Sequence, residues 1–335
     1  MTITSAASAQ GDLAMEAVSL SKDFRLSRHN TLHAVRDVSF NLYRGAVVAL
    51  VGESGSGKST AARMLAGQER VTSGSVRLDG KPISISSGHA FRRYKSEVQY
   101  VFQDPFSSLN PVHTVRYTLE RPVRLHQPGV DVDTATEALM EQVRLTPAKQ
   151  FLAKYPHELS GGQRQRVAFA RALAAKPSVL LADEPVSMLD VSIRLEMLAL
   201  LNDLRTRLRL ALLYITHDIA SARYFADEIL VMYAGQIVER GPAEEITQQP
   251  KHPYTQLLVS SAPDPDHLGS TLRTGGTGAG AQRVQRVKAA ESFAAQGCPF
   301  SPRCPLADEH CRQENPALLP LTATRAAACW HVDET

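Results

Sequence analysis

Gly52-Glu53-Ser54-Gly55-Ser56-Gly57-Lys58-Ser59 directly follows the apolar run 47–51 and fits the pattern G-x-x-x-x-G-K-[ST]. The pattern predicts a strand, a glycine-rich turn and a helix that begins near Lys58. In such a turn the backbone N–H groups face a β-phosphate, the lysine approaches the β/γ oxygens and the serine reaches Mg²⁺. A glycine-rich turn with an exposed lysine is the alternative, but a chance match here is on the order of 1%. The sequence therefore predicts a nucleotide site over residues 52–60, with Thr60 continuing the loop into the helix.

A second stretch places two carboxylates at the end of an apolar strand. It reads Val179-Leu180-Leu181-Ala182-Asp183-Glu184, and α/β sheets bind ligands at the carboxyl ends of their strands. We expect Asp183 to hold Mg²⁺ through water, and Glu184 to be the general base that orients the attacking water. Two surface acids at a strand end are the alternative, which the apolar lead-in and the phosphate motif disfavour.

Short β-rich runs alternate with helical patterns from Glu16 to about Ser261, which is typical of an α/β domain with a largely parallel sheet. Helical periodicity covers 134–144 and 191–209. The predicted strands are short, apolar and followed by polar or glycine residues: Val47–Val51, Val98–Phe102, Val179–Ala182 and Leu210–Ile215.

Composition and charge exclude several classes of protein. The 335 residues include 37 Lys and Arg and 34 Asp and Glu, a formal net charge of +3, and this balance argues against a surface that coats nucleic acid. No run approaches the roughly 20 apolar residues that cross a bilayer. Residues 1–11 have neither a basic region nor an apolar region, so they do not resemble a signal peptide. We therefore expect a cytoplasmic protein.

The composition changes sharply between Asp264 and Gln285, where Gly, Thr, Ser, Pro and Gln replace large apolar residues. Such a stretch predicts a flexible linker. We accordingly divide the chain into four parts: a flexible tail over 1–14, the α/β domain over 15–262, the linker over 263–290 and a small separate module over 291–335.

All four cysteines lie in the last 38 residues, at Cys298, Cys304, Cys311 and Cys329. In a reducing compartment such clustering argues for a metal rather than disulfides. The spacing C-x5-C-x6-C-x17-C lacks the close pairs of zinc ribbons and differs from the ferredoxin run. From spacing alone, a metal site and four ordinary free thiols are equally open.

A third motif, Leu159-Ser160-Gly161-Gly162-Gln163, lies between the two nucleotide-binding stretches and is followed by a helical run over 164–175. With this order of motifs, the chain from about 16 to 261 resembles the ATP-binding-cassette (ABC) family. The resemblance implies a P-loop domain with a mixed sheet core and a helical subdomain over about 104–176.

The resemblance also implies that two cassettes sandwich two ATP molecules. Ser160, Gly161, Gly162 and Gln163 would then open a helix that faces the γ-phosphate held by the other subunit. Ser160 would cap this helix, whose positive end and free N–H groups favour an anion.

Four further positions match the family. Gln103 resembles the glutamine that touches Mg²⁺ and the water, and whose loop contacts the membrane subunits. His217 resembles the histidine that contacts the γ-phosphate. The stretch that ends at Asp190 resembles the loop that communicates across the dimer. Phe24 resembles the aromatic residue that stacks on adenine. Taken alone, Gln103 and His217 would each be interpreted as structural residues, and for Phe24 a core phenylalanine is an open alternative.

The catalytic set implied by the resemblance is complete, because each residue is of the expected type. We therefore predict that the site hydrolyses ATP. The predicted catalytic residues are Lys58, Gln103, Glu184 and His217, and Ser59, Gln103 and Asp183 are predicted to surround Mg²⁺.

Three stretches resemble the oligopeptide/dipeptide importer branch: 103–111, 155–162 and 252–258. This implies an ATPase subunit that powers import of di- and oligopeptides from the cytoplasmic face of the cell membrane. The implied partners are a second ABC ATPase subunit, either a copy or a paralogue, two permease subunits and an extracytoplasmic binding protein. Some relatives carry nickel, glutathione or oligosaccharides instead.

The cysteine-containing tail resembles the C-terminal extension of the same branch, through Cys298-Pro299-Phe300-Ser301-Pro302-Arg303-Cys304 and Cys329-Trp330. In some members this extension carries a [4Fe–4S] cluster held by four cysteines. The resemblance favours an iron–sulfur cluster over zinc, with a structural or regulatory role.

A soluble ABC ATPase of DNA repair or translation is the alternative from another class. Repair-type members insert a long coiled coil between the phosphate loop and the third motif, but here only about a hundred residues separate Lys58 from Ser160. Translation-type members usually carry two cassettes. An iron–sulfur sensor with a regulatory cassette is a third possibility.

Overall fold

The computed structural model describes residues 12–28, 30–83, 88–104, 108–261 and 297–333. The predicted linker over 263–290 lies outside these residues, as do residues 1–11 of the predicted N-terminal tail.

The described chain contains both strands and helices. The strands are β1 (Leu13–Arg25), β2 (Thr31–Tyr43), β3 (Val47–Val51), β4 (Ser73–Leu78), β5 (Lys81–Pro82), β6 (Val98–Val101), β7 (Val179–Asp183), β8 (Ala211–Thr216), β9 (Glu228–Tyr233), β10 (Gln236–Pro242), β11 (Leu319–Pro320) and β12 (Ala326–Ala327). The helices are α1 (Lys58–Leu65), α2 (Gly88–Glu97), α3 (Val115–His126), α4 (Val132–Gln142), α5 (Ala148–Leu152), α6 (Gly161–Leu173), α7 (Val191–Leu208), α8 (Ile219–Phe225), α9 (Ala243–Gln248), α10 (Pro253–Ser261) and α11 (Glu309–Gln313). Among the described residues, no helix combines the length and apolarity needed to cross a membrane.

The main sheet has the strand order β11-β12-β10-β9-β3-β8-β7-β6. Its segment from β9 to β6 is parallel. Strands β3, β7 and β8 are buried along their whole length, as expected for parallel strands covered on both faces. The four predicted strands are confirmed to within one residue at each end. Because β3, β6, β7 and β8 run in one direction, the loops that follow them meet at one edge of the sheet.

A smaller antiparallel sheet, ordered β2-β1-β4-β5, shares a second core with the other face of the main sheet. Its strand β1 begins at Leu13, and Ala14 is fully buried. The predicted flexible tail over 1–14 is therefore wrong for these two residues, because Ala14 packs into this core.

Helices α3 to α6 form a group within the predicted helical subdomain. Thr114 and Asp131 cap α3 and α4 by accepting hydrogen bonds from backbone N–H groups three residues ahead. The buried side chains of Leu119, Leu139 and Phe169 belong to one core cluster. This packing supports the first turn of α6, which carries the Ser-Gly-Gly-Gln motif.

The C-terminal segment, residues 297–333, joins the main sheet instead of forming the separate unit that composition predicts. Strand β12 pairs with β10, and β11 pairs with β12. Arg325 Nη2 lies 2.8 Å from Glu239 Oε1 on β10, and both side chains are buried. The same Glu239 carboxylate accepts the N–H groups of Lys251 and His252 at 2.8 and 2.9 Å. A buried ion pair with further hydrogen bonds thus anchors the segment.

Candidate active site

The sheet edge described above borders a cavity of about 730 Å³. Most of the predicted nucleotide-binding and catalytic side chains line it together, although they come from distant parts of the sequence. The lining includes Phe24, Glu53, Ser54, Gly55, Gly57, Lys58, Ser59, Thr60, Gln103, Glu184 and His217.

The turn that follows β3 depends on glycine at Gly57. This residue has φ of +103°, and a Cβ atom placed on it would lie 2.3 Å from the carbonyl oxygen of Ala34. An L side chain is therefore excluded both by backbone conformation and by contact with β2. The turn delivers the chain directly into α1, whose first residue is Lys58. The free N–H groups at the N-terminus of α1 favour the binding of a phosphate group.

The Lys58 side chain is 5% exposed and folds back over the phosphate loop. Its Nζ atom donates to the carbonyl oxygens of Gly52 and Glu53 at 2.7 and 2.8 Å. Burial lowers the pKa of Lys58, while the carboxylates of Glu184, Asp183 and Glu53 act in the opposite direction. The ammonium group thus lies at the loop, within the field of three acids.

Asp183 is buried at the end of β7, and its carboxylate accepts hydrogen bonds from two hydroxyl groups. Ser59 Oγ donates to its Oδ1 atom at 3.1 Å, and Tyr100 Oη donates to its Oδ2 atom at 2.5 Å. Burial and the Asp183 charge raise the pKa of Tyr100, so the phenol remains a donor. Oxygen donors from Ser59 and Asp183 are the ligand type that Mg²⁺ prefers, and these residues therefore fit the predicted ion.

Glu184 lies between two of the other predicted catalytic side chains, Gln103 and His217. Gln103 Nε2 donates to its Oε2 atom at 2.8 Å, and His217 Nδ1 lies 3.3 Å from its Oε1 atom. The Glu184 backbone has φ of +44°, a conformation that costs on the order of 1–3 kcal/mol for a residue with a side chain. Its N–H donates to Ile215 O on β8 at 2.9 Å, which helps to hold this strained position. Glu184 lines the cavity from this position.

Phe24 lies in the cavity wall at the end of β1, with Lys22 Nζ 4.7 Å from the centre of its ring. This position allows an aromatic face to meet a planar base, as predicted for adenine. The same Lys22 Nζ atom lies 3.1 Å from Glu69 Oε2.

The Ser-Gly-Gly-Gln motif and Asp190 lie apart from this cavity, whose described lining does not include them. Ser160 Oγ accepts the Gln163 N–H at 3.3 Å, and Gln163 Oε1 accepts the Ser160 N–H at 3.0 Å. This reciprocal capping box confirms the predicted helix start. Asp190 is the N-cap residue of α7. A role for these residues at a phosphate therefore requires a second chain.

Three side chains at the site were missed by the sequence interpretation. Tyr100 holds Asp183, Tyr254 on α10 accepts the Glu53 N–H at 2.8 Å, and Arg303 pairs with the Glu53 carboxylate. Tyr100 could have been suspected from its place on β6, three residues before Gln103. Tyr254 and Arg303 have no such signal, because they reach the loop from 201 and 250 positions away.

The four cysteines line one small cavity of about 10 Å³ in the C-terminal segment. Burial is the main cause that raises the pKa of every one of these thiols, that of Cys311 to about 11. Beside them, Asp308, Cys311 and His331 bring one donor atom each within 4.8 Å of one another. This mixed group is a donor set that suits a transition metal.

The phosphate loop, the carboxylate-ended strand and the capped Ser-Gly-Gly-Gln helix together define an ABC-type ATPase. A family model described as "ABC transporter" matches residues 35–187, and one described as "Oligopeptide/dipeptide transporter, C-terminal region" matches residues 238–311. The chain belongs to the ABC transporter family, as an ATP-binding subunit.

Named relatives are similar over nearly the whole chain. The di/tripeptide transport ATP-binding protein DppF of Pseudomonas aeruginosa is 39% identical over 329 residues, covering 96% of this chain and 98% of that protein. The oligopeptide transport ATP-binding protein OppF of Haemophilus influenzae is 36% identical over 323 residues, covering 93% of this chain and 92% of that protein.

Solved cassettes share the fold. CbiO1 from Clostridium perfringens, part of the ABC transporter complex CbiONQ, has a TM-score of 0.63 at 27% identity and covers 71% of this chain and 92% of that chain. A second structure is a dimer of the ATP-binding cassette MJ0796 in a post-hydrolysis state, bound to ADP and Pi. It has a TM-score of 0.62 at 27% identity and covers 68% of this chain and 98% of that chain.

Proposed function

We propose that this protein hydrolyses ATP to power an importer of di- and oligopeptides. The observation that carries the hydrolysis step is the Glu184 carboxylate, which is held between Gln103 and His217 at the edge of the cavity that the phosphate loop lines. This arrangement supplies a base, a polar partner for the water and a group for the γ-phosphate.

The proposed mechanism divides the work among the side chains. The loop N–H groups and Lys58 hold the β- and γ-phosphates, and Phe24 stacks on the adenine. Ser59 and Asp183 would hold Mg²⁺, with Gln103 beside them, and the ion would offset phosphate charge when bound. Glu184 orients the attacking water, and His217 contacts the γ-phosphate. Positioning and charge stabilisation of this kind account for most of the acceleration of phosphoryl transfer.

The working unit is proposed to be a dimer of cassettes, the second being a copy or a paralogue. Residues Ser160 to Gln163 would then meet the ATP held by the partner, and Asp190 would lie at the interface. The isolated position of the capped helix, away from its own chain's cavity, supports this assignment.

The permease subunits are proposed to dock beside Gln103, on the cytoplasmic face of the membrane. A groove of about 770 Å³ adjoins this position and is lined by the exposed apolar side chains of Phe102 and Leu125 and by the half-buried Arg171. An apolar groove of this size beside the loop that senses the nucleotide suits a helix of a membrane subunit. An extracytoplasmic binding protein would deliver the peptide to the permeases.

Peptide is the proposed cargo because DppF and OppF are named for di/tripeptide and oligopeptide transport. In cells that lack this gene, uptake of a labelled dipeptide should fall to background and return with the wild-type gene, but not with Glu184→Gln. Uptake of nickel, glutathione or an oligosaccharide should be unchanged. Loss of one of these instead of the peptide would reassign the cargo, and a DNA-repair or translation defect without any uptake defect would favour the soluble ATPase.

The four cysteines are proposed to hold a [4Fe–4S] cluster with a structural or regulatory role. Their placement around one cavity supports a shared metal centre, and four thiolates are the usual ligands of such a cluster. Zinc, held by Cys311 with Asp308 and His331, is the alternative that the second donor group supports.

Metal content should distinguish these two centres. Protein purified without oxygen should be brown, absorb near 400 nm and contain about four iron atoms per chain. Cys298→Ser should abolish this iron content, whereas Asp308→Asn should preserve it, because Asp308 belongs only to the mixed donor group. A colourless protein that contains zinc, and loses the zinc with Asp308→Asn, would contradict the cluster.

A further inference from the structure

Glu53, the second residue of the phosphate loop, is held by three side chains. Its N–H donates to Tyr254 Oη at 2.8 Å, and its carbonyl oxygen accepts from Lys58 Nζ at 2.8 Å. Its two carboxylate oxygens accept from Arg303 Nη1 and Nη2, each at 2.9 Å. Two of these three contacts come from residues beyond 250, so the loop conformation depends on parts of the chain that are remote in sequence.

Arg303 is itself fixed by a turn and by aromatic rings. Within the turn, the Ser301 and Arg303 N–H groups donate to the carbonyl oxygens of Cys298 and Phe300 at 3.0 and 2.9 Å. The guanidinium carbon lies 5.6 Å from the centre of the Phe300 ring and 5.9 Å from that of Tyr233. A guanidinium held by stacking loses less freedom when it forms its hydrogen bonds.

Phe300 links the same turn to the other support of the loop. Its ring is 2% exposed and lies 5.5 Å from the ring of Tyr254 and 5.4 Å from that of Tyr233. The turn therefore supports Glu53 both directly, through Arg303, and indirectly, through the packing behind the Tyr254 hydroxyl.

The charges of Glu53 and Arg303 indicate how this contact would affect the binding of ATP. Glu53 lines the nucleotide cavity, so its negative charge would act on a triphosphate bound there. A forked guanidinium–carboxylate pair is stronger than an ordinary ion pair, although Glu53 is 44% exposed and water screens part of the interaction. Without Arg303, the carboxylate would repel the phosphates and the loop would lose one of its three supports.

We propose that Arg303 is a positioning residue for the phosphate loop, through which the C-terminal segment sets the affinity of the site for ATP. The proposal rests on the proposed ATPase function and adds to it. Arg303 acts through Glu53, since the described lining of the nucleotide cavity includes Glu53 and not Arg303.

The test is a double-mutant cycle in the full-length protein, with ATP hydrolysis and binding of a fluorescent ATP analogue as readouts. Arg303→Ala should raise the KM for ATP and the Kd of the analogue by roughly fivefold, a size suited to a partly exposed forked pair. The kcat should stay within about twofold, because the catalytic side chains are unchanged. Arg303→Lys, which keeps the charge and loses the fork, should give a smaller rise.

Coupling with Glu53 decides the origin of the effect. In a Glu53→Gln background, Arg303→Ala should change the KM by less than about twofold, because the charge that Arg303 offsets is gone. Arg312→Ala, which removes an exposed arginine from the same segment, should leave KM and Kd unchanged. Metal content of Arg303→Ala should equal that of the wild type.

Three results would overturn the proposal: an unchanged KM in Arg303→Ala, an equal rise in both backgrounds, or a rise that occurs only with loss of metal. A lowered melting temperature with unchanged KM and Kd would show that Arg303 is merely structural. Failure of the wild-type protein to hydrolyse ATP would instead contradict the proposed function, so the two failures are distinguishable.

Discussion

Glu184→Gln is expected to lower the turnover of ATP by at least about 100-fold, which is the low end of what a positioned general base contributes. The amide keeps the shape of the side chain and its contact with Gln103, but it cannot take a proton from water. ATP should still bind, because the phosphate loop, Lys58 and Asp183 are unchanged. Steady-state hydrolysis and binding of a fluorescent ATP analogue would measure the two effects separately.

The matched control is Glu309→Gln, the same chemical change at a 72% exposed side chain in the C-terminal segment. This variant should hydrolyse ATP at the wild-type rate. Turnover of Glu184→Gln within a few-fold of the wild type would contradict the assignment of Glu184 as the base. Equal losses of binding and turnover would point to a disturbed phosphate loop instead.

Arg325→Ala should have the largest effect on stability. It leaves the fully buried Glu239 carboxylate without its guanidinium partner, and breaking a buried ion pair costs about 3–5 kcal/mol. Two backbone N–H groups also donate to the Glu239 carboxylate and would still stabilise its charge. We therefore expect a loss at the lower end of this range, about 3 kcal/mol. The free energy of unfolding from a denaturant titration would measure the change.

Two further variants show whether the loss arises from the unpaired charge. Glu239→Gln combined with Arg325→Met should recover part of the stability, because no charge is then buried. Arg312→Ala removes the exposed ion pair with Glu309, in which Nη1 and Oε2 lie 3.7 Å apart. This change should lower the free energy of unfolding by less than about 0.5 kcal/mol. Equal stability losses in Arg325→Ala and Arg312→Ala would contradict the anchoring role of Arg325.

Local sequence patterns were sufficient to predict the central part of the site. The buried run 47–51 and the glycine-rich turn after it specify a strand, a tight loop and a helix start within a few residues. The apolar lead-in to Asp183 is equally local. Parallel strands with their ends at one edge then require these two segments to lie near each other.

Contacts between distant segments could not be predicted in the same way. Arg303 and Tyr254 reach Glu53 only because residues 297–333 pack onto the main sheet, and no spacing rule covers pairs some 200 or more positions apart. The composition of the C-terminal segment, with its cysteines and prolines, indicated an independent module. The burial of Arg325 against Glu239, which joins the segment to the sheet, depends on tertiary packing alone.

The Ser-Gly-Gly-Gln motif shows a different limit. Its capping box follows from the sequence, since Ser160 and Gln163 have the spacing of a reciprocal cap. Its chemical role depends on which surface of another chain it meets, and a single chain places it away from its own nucleotide cavity. The resemblance to a family supplied the expectation of a dimer, which side-chain chemistry alone did not.

The most direct test of the central claim is ATP hydrolysis by this chain assembled with its permeases and partner cassette in lipid vesicles. We predict that binding protein loaded with a dipeptide raises the hydrolysis rate several-fold above that with peptide-free binding protein, and that Glu184→Gln removes the increase. A hydrolysis rate that does not respond to peptide-loaded binding protein would contradict the account.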